Sequence, residues 1–254
     1  MASFPAVLQS EWTKIRSVRS TVWTLALTFV VTLGIGALLS LLTNNNFDEF
    51  RSDDSPFDAT GTAFSGIILG ELAIIVFGVL AVGNEYSTGM IRVTLAAVPQ
   101  RGTLLTGKAV VLGALALAVS LVTAFVTFFV GQALLGDHST SLGEPNVLRA
   151  VLGAALYLTM LCLFSAGVTA MLHNQTLALG VLVPFFFLLS PILSAVPKVK
   201  TLAHYFPDYA GSRMLLVYEQ NGQPYGPLAG FAICLAWTVA ALVGGALVLK
   251  RRDA

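Results

Sequence analysis

Residues 63–101 of this 254-residue chain read AFSGIILGELAIIVFGVLAVGNEYSTGMIRVTLAAVPQR, and they contain the two patterns that decide the fold. The first pattern, over residues 63–82, is an apolar run interrupted by a single acidic residue, Glu71. A helix needs about 20 apolar residues to cross the hydrocarbon core of a bilayer. The second pattern, over residues 84–101, is shorter and mixes apolar with polar side chains at helical spacing. The stretch therefore predicts a membrane span followed by a short amphipathic helix.

Five further apolar runs precede or follow this stretch. Hydrophobic residues make up 56% of the chain and charged residues 11%, against about 45–50% and about 25% in soluble globular domains. The six predicted spans cover residues 21–42, 63–82, 110–135, 148–172, 176–193 and 228–249. Pro184 and Pro191 interrupt the fifth. We therefore predict an all-α membrane protein with six transmembrane helices, forming a single domain over residues 1–254.

The basic residues are distributed unevenly between the two sides that alternating spans define. One side holds nine of them: Lys14, Arg16, Arg19, Arg92, Arg101, Lys108, Lys250, Arg251 and Arg252. The other side holds five: Arg51, Arg149, Lys198, Lys200 and Arg213. Because cytoplasmic segments carry the excess of Lys and Arg, we predict a multi-pass membrane protein with both termini in the cytoplasm.

Residues 4–19, ahead of the first span, have the pattern of an amphipathic helix. Leu8 and Trp12 recur at helical spacing, and Glu11 and Lys14 lie on the opposite side. Helices of this kind lie in the headgroup layer. We therefore expect an interfacial helix with Trp12 at the boundary and its basic residues directed toward anionic lipid. A frayed tail is the alternative.

The connection between the second and third spans, residues 84–108, has helix boundaries of its own. Ser87 or Thr88 is suited to cap the start of a helix, and Pro99 is suited to end it. A plain connection between two membrane helices needs only a few polar turn residues. The segment therefore predicts a separate short helix.

The apolar face of this short helix has two interpretations. Ile91, Leu95 and Val98 fall at i, i+4 and i+7, so they share a face. A soluble partner could bind there, beside the basic side chains Arg92, Arg101 and Lys108. Alternatively, the same face covers the underside of the membrane bundle, with the arginines at the headgroups. The sequence leaves both interpretations open.

Residues 194–227, between the fifth and sixth spans, combine aromatic residues with Pro197, Pro207 and Pro224. Proline interrupts regular helices, and aromatic residues are enriched at membrane interfaces. Irregular backbone at membrane depth has to be buried against protein. We therefore predict short re-entrant helices that dip into the outer leaflet.

Residues with catalytic or metal-binding potential form no motif. The three histidines lie in separate segments, and both cysteines lie within predicted spans. Residues 102–108 follow the spacing of a phosphate-binding loop, but Ala109 stands where that motif requires Ser or Thr. We expect no catalytic residue, no metal site and no cofactor in this chain.

Glu71 is the only acidic residue deep within a predicted span. An ionisable residue in the hydrocarbon region is costly, so it faces protein or a wet cavity. Glu71 is either a functional intramembrane site or the partner in a structural hydrogen bond to a neighbouring helix. Both interpretations stay open.

Three segments carry a resemblance to a known family. They are residues 10–17 (SEWTKIRS), residues 85–101 (EYSTGMIRVTLAAVPQR) and residues 250–254 (KRRDA). The middle segment, with E-Y-x-x-G-x-I-R followed by L-x-x-x-P and a basic residue, is the most specific of the three. On these residues the chain resembles, over nearly its whole length, the permease subunits of type-2 ATP-binding-cassette (ABC) transporters, especially the small six-span bacterial kind.

The resemblance implies that residues 84–108 hold a coupling helix, which sits in a groove of a separate ATPase subunit that binds ATP and Mg. The resemblance assigns the contact with the ATPase to these residues: Glu85, Gly89, Ile91, Arg92, Leu95, Pro99 and Arg101. Two permease chains, most simply a homodimer, would enclose the substrate path and export substrate across the bacterial plasma membrane. A non-transporting membrane anchor or sensor and a secondary transporter are the rival functions.

Overall fold

The computed structural model describes residues 3–50, 56–98, 100–218 and 224–251, with the backbone alone described at residue 251. Within these residues the regular structure is helical and contains no strand. The α-helices are α1 (Phe4–Ser17), α2 (Arg19–Asn45), α3 (Phe47–Phe50), α4 (Ala59–Ala63), α5 (Ile67–Ser87), α6 (Met90–Ala97), α7 (Arg101–Leu135), α8 (Val147–Leu172), α9 (Gln175–Pro184), α10 (Ser190–Ala195), α11 (Lys200–Ala203), α12 (Pro207–Ser212) and α13 (Pro227–Arg251). The predicted all-α class is confirmed.

Six helical segments of the described chain are long and apolar enough to cross a membrane. They run over Arg19–Asn45, Ala59–Ser87, Arg101–His138, Val147–Leu172, Gln175–Ala195 and Pro227–Lys250. The predicted fold class of six transmembrane helices is therefore confirmed. The helix of the third span begins at Arg101, earlier than residue 110, because residues 101–109 contain no proline that would interrupt it.

The fifth span changes its helical register in the middle. A π-helical turn, Phe185–Leu189, lies between α9 and α10. Pro191 has no backbone N–H, so it cannot donate the hydrogen bond that would continue a regular α-helix out of this turn. The prolines of this span therefore mark a local irregularity, and the helix continues through it.

The fourth span, α8, lies at the centre of the bundle and packs against α5, α7 and α13. Small residues allow these close contacts. A Cβ on Gly167 would lie 2.6 Å from the backbone carbonyl carbon of Ala241, and a Cβ on Gly78 would lie 2.4 Å from the carbonyl oxygen of Cys162. Helices in membranes associate in part through such residues, because lipid tails are as apolar as a leucine side chain and close packing therefore contributes much of the contact energy.

The helix α1 packs against α7 and α2, and its buried face differs from the predicted one. Val7, Glu11 and Ile15 are buried, whereas Trp12 is 48% exposed. The prediction that the basic residue Lys14 is directed toward anionic lipid is wrong, because its ammonium group turns toward Glu11 and Glu85 inside the protein. The position of α1 at a membrane interface stays a prediction.

The segment between the fifth and sixth spans forms two short helices, α11 and α12, followed by a 3-10 turn, Arg213–Leu215. α12 packs against α13 and α8. A Cβ on Gly211 would lie 2.2 Å from the ring of Tyr157, so glycine is required for this contact. The short helices are present where the sequence predicts them, and their re-entry into the outer leaflet stays a prediction.

These contacts show which helices lie at each of the two ends of the bundle. α1, α6, the start of α7 and the last residues of α13 lie at one end, which we call the α1 end. α11 and α12 belong to the other end, together with the segments that join the first span to the second and the third span to the fourth.

Candidate functional site

The short helix α6 is separated from the second span by a left-handed residue. Gly89 has φ +70°, a conformation that glycine adopts without strain. The hydroxyls of Ser87 and Thr88 both donate to the carbonyl oxygen of Asn84, at 3.2 and 2.7 Å. They therefore close the C-terminal end of α5, and the prediction that one of them caps α6 is wrong. Local backbone chemistry thus places α6 directly after the second span.

One face of α6 packs against the chain itself. Ile91 is 6% exposed and forms a small apolar cluster with Val7 of α1 and Leu104 of α7. Leu95 and Val98 pack against this cluster and are partly buried. Of the two interpretations of the apolar face, the structure supports the second, in which this face covers the underside of the bundle.

The opposite face of α6 is free of such contacts and is exposed. It presents the side chains of Arg92, Val93, Ala96 and Ala97. Val93 is 70% exposed, and an apolar side chain in that position is unfavourable in water. Sequence reasoning missed Val93, although Val93, Ala96 and Ala97 recur at helical spacing and signal a second, narrower apolar stripe beside Arg92.

Four charged side chains form a largely buried cluster beneath α6, which we call the ion cluster: Glu11 of α1, Lys14 of α1, Glu85 of α5 and Lys108 of α7. The Lys14 ammonium nitrogen lies 2.6 Å from Glu11 Oε1 and 2.8 Å from Glu85 Oε1. The Lys108 ammonium nitrogen lies 2.5 Å from Glu11 Oε2 and 2.9 Å from Glu85 Oε1. Each cation therefore contacts both carboxylates.

The ion cluster connects four helices. Lys14 also donates to Thr94 Oγ1 of α6, at 3.3 Å. Burial lowers the pKa of Lys14, but its hydrogen bonds to Glu11 and Glu85 and their negative charges outweigh that effect and raise the pKa above the ordinary value of 10.5. The ammonium form is thus favoured inside the cluster. Ion pairs hold α1, α5 and α7 together, and the hydrogen bond from Lys14 to Thr94 adds α6.

The ion cluster changes the expected environment of two residues in the connecting segment. Glu85 is 3% exposed and Lys108 is 6% exposed, so both contact this chain and neither presents its charge at the surface. The interpretation of Lys108 as a basic side chain available to a partner is therefore wrong. Glu11 and Lys14, at i and i+3 on α1, were the sequence signal for this cluster.

Arg101 links the start of α7 to the end of the last span. Its Nη1 atom donates to the carbonyl oxygen of Leu249 at 2.6 Å and to that of Lys250 at 3.4 Å. The last carbonyl groups of a helix have no partner within it and carry partial negative charge. Arg101 therefore stabilises the C-terminal end of α13. Pro99, which was also assigned to coupling, lies outside the described residues.

Glu71 lies between the second and fourth spans. The hydroxyl of Tyr157 donates to Glu71 Oε1 at 2.8 Å, and Tyr157 is buried. This contact is the interhelical hydrogen bond that one interpretation of Glu71 required. Among the described residues, no group of three or more His, Cys, Asp or Glu side chains could hold a metal ion.

One known protein family matches most of the length of this chain. The model of a family described as "ABC-2 family transporter protein" matches residues 7–196, from α1 through the fifth span. No curated protein matches the chain significantly. The match includes the ion cluster and all of α6. The chain therefore belongs to the ABC-2 transporter family, and it is a multi-pass membrane permease component of an ABC transporter.

Proposed function

We propose that this chain is the membrane subunit of an ATP-driven exporter in a bacterial plasma membrane, and that two copies enclose the substrate path. ABC-2 permeases generally work with an ATPase subunit, and α6 would be the element that binds it. The α1 end would then face the cytoplasm, in agreement with its excess of basic residues. ATP and Mg would be bound, and ATP hydrolysed, by the separate subunit.

The observation that carries this proposal is the division of α6 into two faces. Ile91 packs against α1 and α7, which fixes the helix on the bundle, while Arg92 and Val93 on the other face are exposed. A groove on the ATPase that accepts this face needs an acidic group for Arg92 and an apolar surface for Val93. The exposed residues of α6, Arg92 and Val93, would therefore bind the ATPase. The residues that pack against the bundle, such as Ile91, would transmit the motion.

The contacts beneath α6 supply a route for that motion. When closure of the ATPase dimer displaces α6, the bond of Thr94 to the ion cluster transmits force to α1, α5 and α7. Arg101 extends the connection to the end of α13. Because paired charges and packed helices resist deformation, the bundle would tip as a body between inward-open and outward-open states.

The decisive experiment measures ATPase binding and hydrolysis with single substitutions on the two faces of α6. We expect Val93→Asp and Arg92→Glu to abolish co-purification of the ATPase subunit and permease-stimulated ATP hydrolysis, while the permease keeps its native melting temperature. Charge reversal at Lys250, an exposed cation at the same end of the bundle, is the matched control and should leave binding intact.

Three results would contradict the proposal. Normal ATPase binding and transport in both α6 variants would remove α6 from coupling. A permease that purifies folded without any ATPase would instead favour a non-transporting anchor or sensor. Flux that depends on a proton or sodium gradient, and not on ATP, would favour a secondary transporter.

A further inference from the structure

An apolar groove runs along the lipid-facing side of the bundle at the α1 end. It has a volume of about 580 Å³ and is lined by residues of three helices. α1 contributes Trp12, Ile15 and Arg16; α2 contributes Val22, Leu25, Ala26 and Phe29; α7 contributes Leu115, Ala118, Val119 and Val122. Arg16 is the one charged side chain in this lining.

The groove is short enough to lie within one leaflet. Val22 and Phe29 are seven residues apart on α2, which corresponds to about 10 Å along the helix. A leaflet contributes about half of the roughly 30 Å hydrocarbon core. The groove therefore starts near the headgroup level, at Arg16, and ends within the same leaflet. Ala26 and Ala118 leave its middle open because their side chains are small.

Two arginines near this end of the groove have no partner in the described chain: Arg16 lines the groove, and Arg19 lies about one helical turn before the lining residue Val22 on α2. Arg16 and Arg19 are exposed and make no hydrogen bond or ion pair with any described residue. Their neighbour Lys14 behaves differently, because it turns inward to the ion cluster. Guanidinium groups bind phosphate oxygens in a bidentate manner, which makes them well suited to a phosphate at this height in the membrane.

A second copy of this chain fits the groove poorly. A protein partner would need an acidic side chain at the level of Arg16 and Arg19. Among the described residues at the α1 end, the carboxylates are Glu11 and Glu85, and both are engaged in the ion cluster. A lipid phosphate supplies the missing negative charge, and its acyl chain supplies the apolar surface.

We propose that this groove is a binding site for one anionic phospholipid, with its phosphate on Arg16 and Arg19 and one acyl chain between α2 and α7 beneath Trp12. The lipid fills the space between the amphipathic helix and the first and third spans. It thereby fixes the position of α1 on the membrane side that the ion cluster does not reach. This proposal does not depend on the ATPase-docking role of α6.

The first test measures retained lipid. The purified full-length chain is exchanged into nanodiscs of equal parts phosphatidylglycerol and phosphatidylcholine, released for native mass spectrometry, and scored for bound lipid. We expect one phosphatidylglycerol per chain. The Arg16→Gln/Arg19→Gln variant and the groove-filling Ala118→Phe variant should each reduce its retention by about tenfold or more, since each removes a charged contact or the acyl-chain space.

The matched controls change the same chemistry elsewhere. Lys198→Gln/Lys200→Gln removes two exposed cations at the opposite end of the bundle, and Val239→Phe enlarges a lipid-exposed side chain of α13 outside the groove. Both should retain phosphatidylglycerol as the wild type does. Equal retention by the wild type and both groove variants would overturn the proposal, as would equal retention of phosphatidylcholine.

The second test locates the acyl chain. Two single-tryptophan proteins are compared, one with only Trp12, which lines the groove, and one with only Trp23, which is 73% exposed on α2 outside the groove lining. Brominated phosphatidylglycerol diluted into phosphatidylcholine vesicles should quench Trp12 more strongly than brominated phosphatidylcholine does, and should quench Trp23 equally with either lipid. Equal quenching of Trp12 by both brominated lipids would overturn the proposal. Crosslinking of an Ala118→Cys variant into a dimer that retains no lipid would also overturn it.

Discussion

The ion cluster at the α1 end and the Glu71–Tyr157 pair within the bundle both contain buried polar groups, but they satisfy them in different ways. In the ion cluster, two carboxylates accept hydrogen bonds from two ammonium groups, so the formal charges cancel. Glu71 accepts one hydrogen bond from a neutral phenol, and no described cation pairs with it. Opposite charges pair at the α1 end of the bundle, whereas a single hydrogen bond joins the polar groups between the second and fourth spans.

The difference follows from what each location can supply. Lysine side chains reach the ion cluster from α1 and from the first turns of α7, because their long apolar stems pass along the helix surface. A cation at the depth of Glu71 would have to be carried within a span, where charge is expensive. Removing one member should therefore be costly in the ion cluster and inexpensive in the pair.

The largest expected effect is at Lys108. Its replacement by Met leaves Glu11 and Glu85 with a single cation between them, so the free energy of unfolding should fall by about 3–5 kcal/mol. Denaturation in mixed micelles, followed by tryptophan fluorescence, measures this loss. The Lys108→Met/Glu85→Leu variant removes one charge of each sign and should be more stable than Lys108→Met. Wild-type stability in Lys108→Met would show that the cluster contributes no pairing energy.

The second effect is smaller and concerns Tyr157. Tyr157→Phe keeps the ring that packs against Gly211 and removes only the hydrogen bond to Glu71. Interhelical hydrogen bonds in membranes contribute about 1 kcal/mol, so the free energy of unfolding should fall by about that amount. Tyr157→Leu, which also loses ring packing, should be less stable than Tyr157→Phe. A loss in Tyr157→Phe as large as that in Lys108→Met would end the distinction between the two sites.

The smallest expected effect concerns Lys14 and appears as a change of the free energy of unfolding with pH. Its pKa in the folded protein is raised above 10.5, so the unfolded chain releases this proton first. The stabilisation is then complete below about pH 10.5 and is lost as the pH rises through the folded-state pKa. Glu11, Glu85, Thr94 and Lys108 face Lys14 from α1, α5, α6 and α7.

The measurement for Lys14 is the difference between the free energies of unfolding of the wild type and Lys14→Met, followed from neutral to alkaline pH. We expect the wild type to lose its advantage in the alkaline range, whereas the difference should be constant near neutral pH. A difference that does not change with pH would show that Lys14 is not held in its charged form by the cluster.

The sequence predicted the helical spans well because each depends on local composition. An apolar run of about 20 residues is sufficient to identify a span, and the six spans follow from that rule alone. The short helix α6 was equally visible, since its apolar spacing lies within eight residues. The direction of its apolar face was not visible, because the residues that cover Ile91 belong to α1 and α7.

The errors have a common physical cause. Glu11 and Lys14 were assigned to the polar side of α1, and Lys14 was directed toward anionic lipid, because a helical pattern shows which residues share a face but not what that face meets. Glu11 is 97 residues from Lys108 in the sequence, and Lys14 is 71 residues from Glu85. A charged residue is placed inside a protein only when such a partner is present. Local sequence shows the Glu11–Lys14 pair but not the distant partners Glu85 and Lys108.

By itself, the sequence determined the six spans, the amphipathic α1, the separate α6 and the family resemblance of their connecting residues. All of these follow from the lengths, spacings and residue types of short segments. Only the tertiary structure decided that Glu85 and Lys108 lie in the ion cluster, that Arg101 binds the end of α13, and that Val93 is exposed on α6. These outcomes required the packing of distant helices, because burial and charge pairing are properties of the assembled bundle.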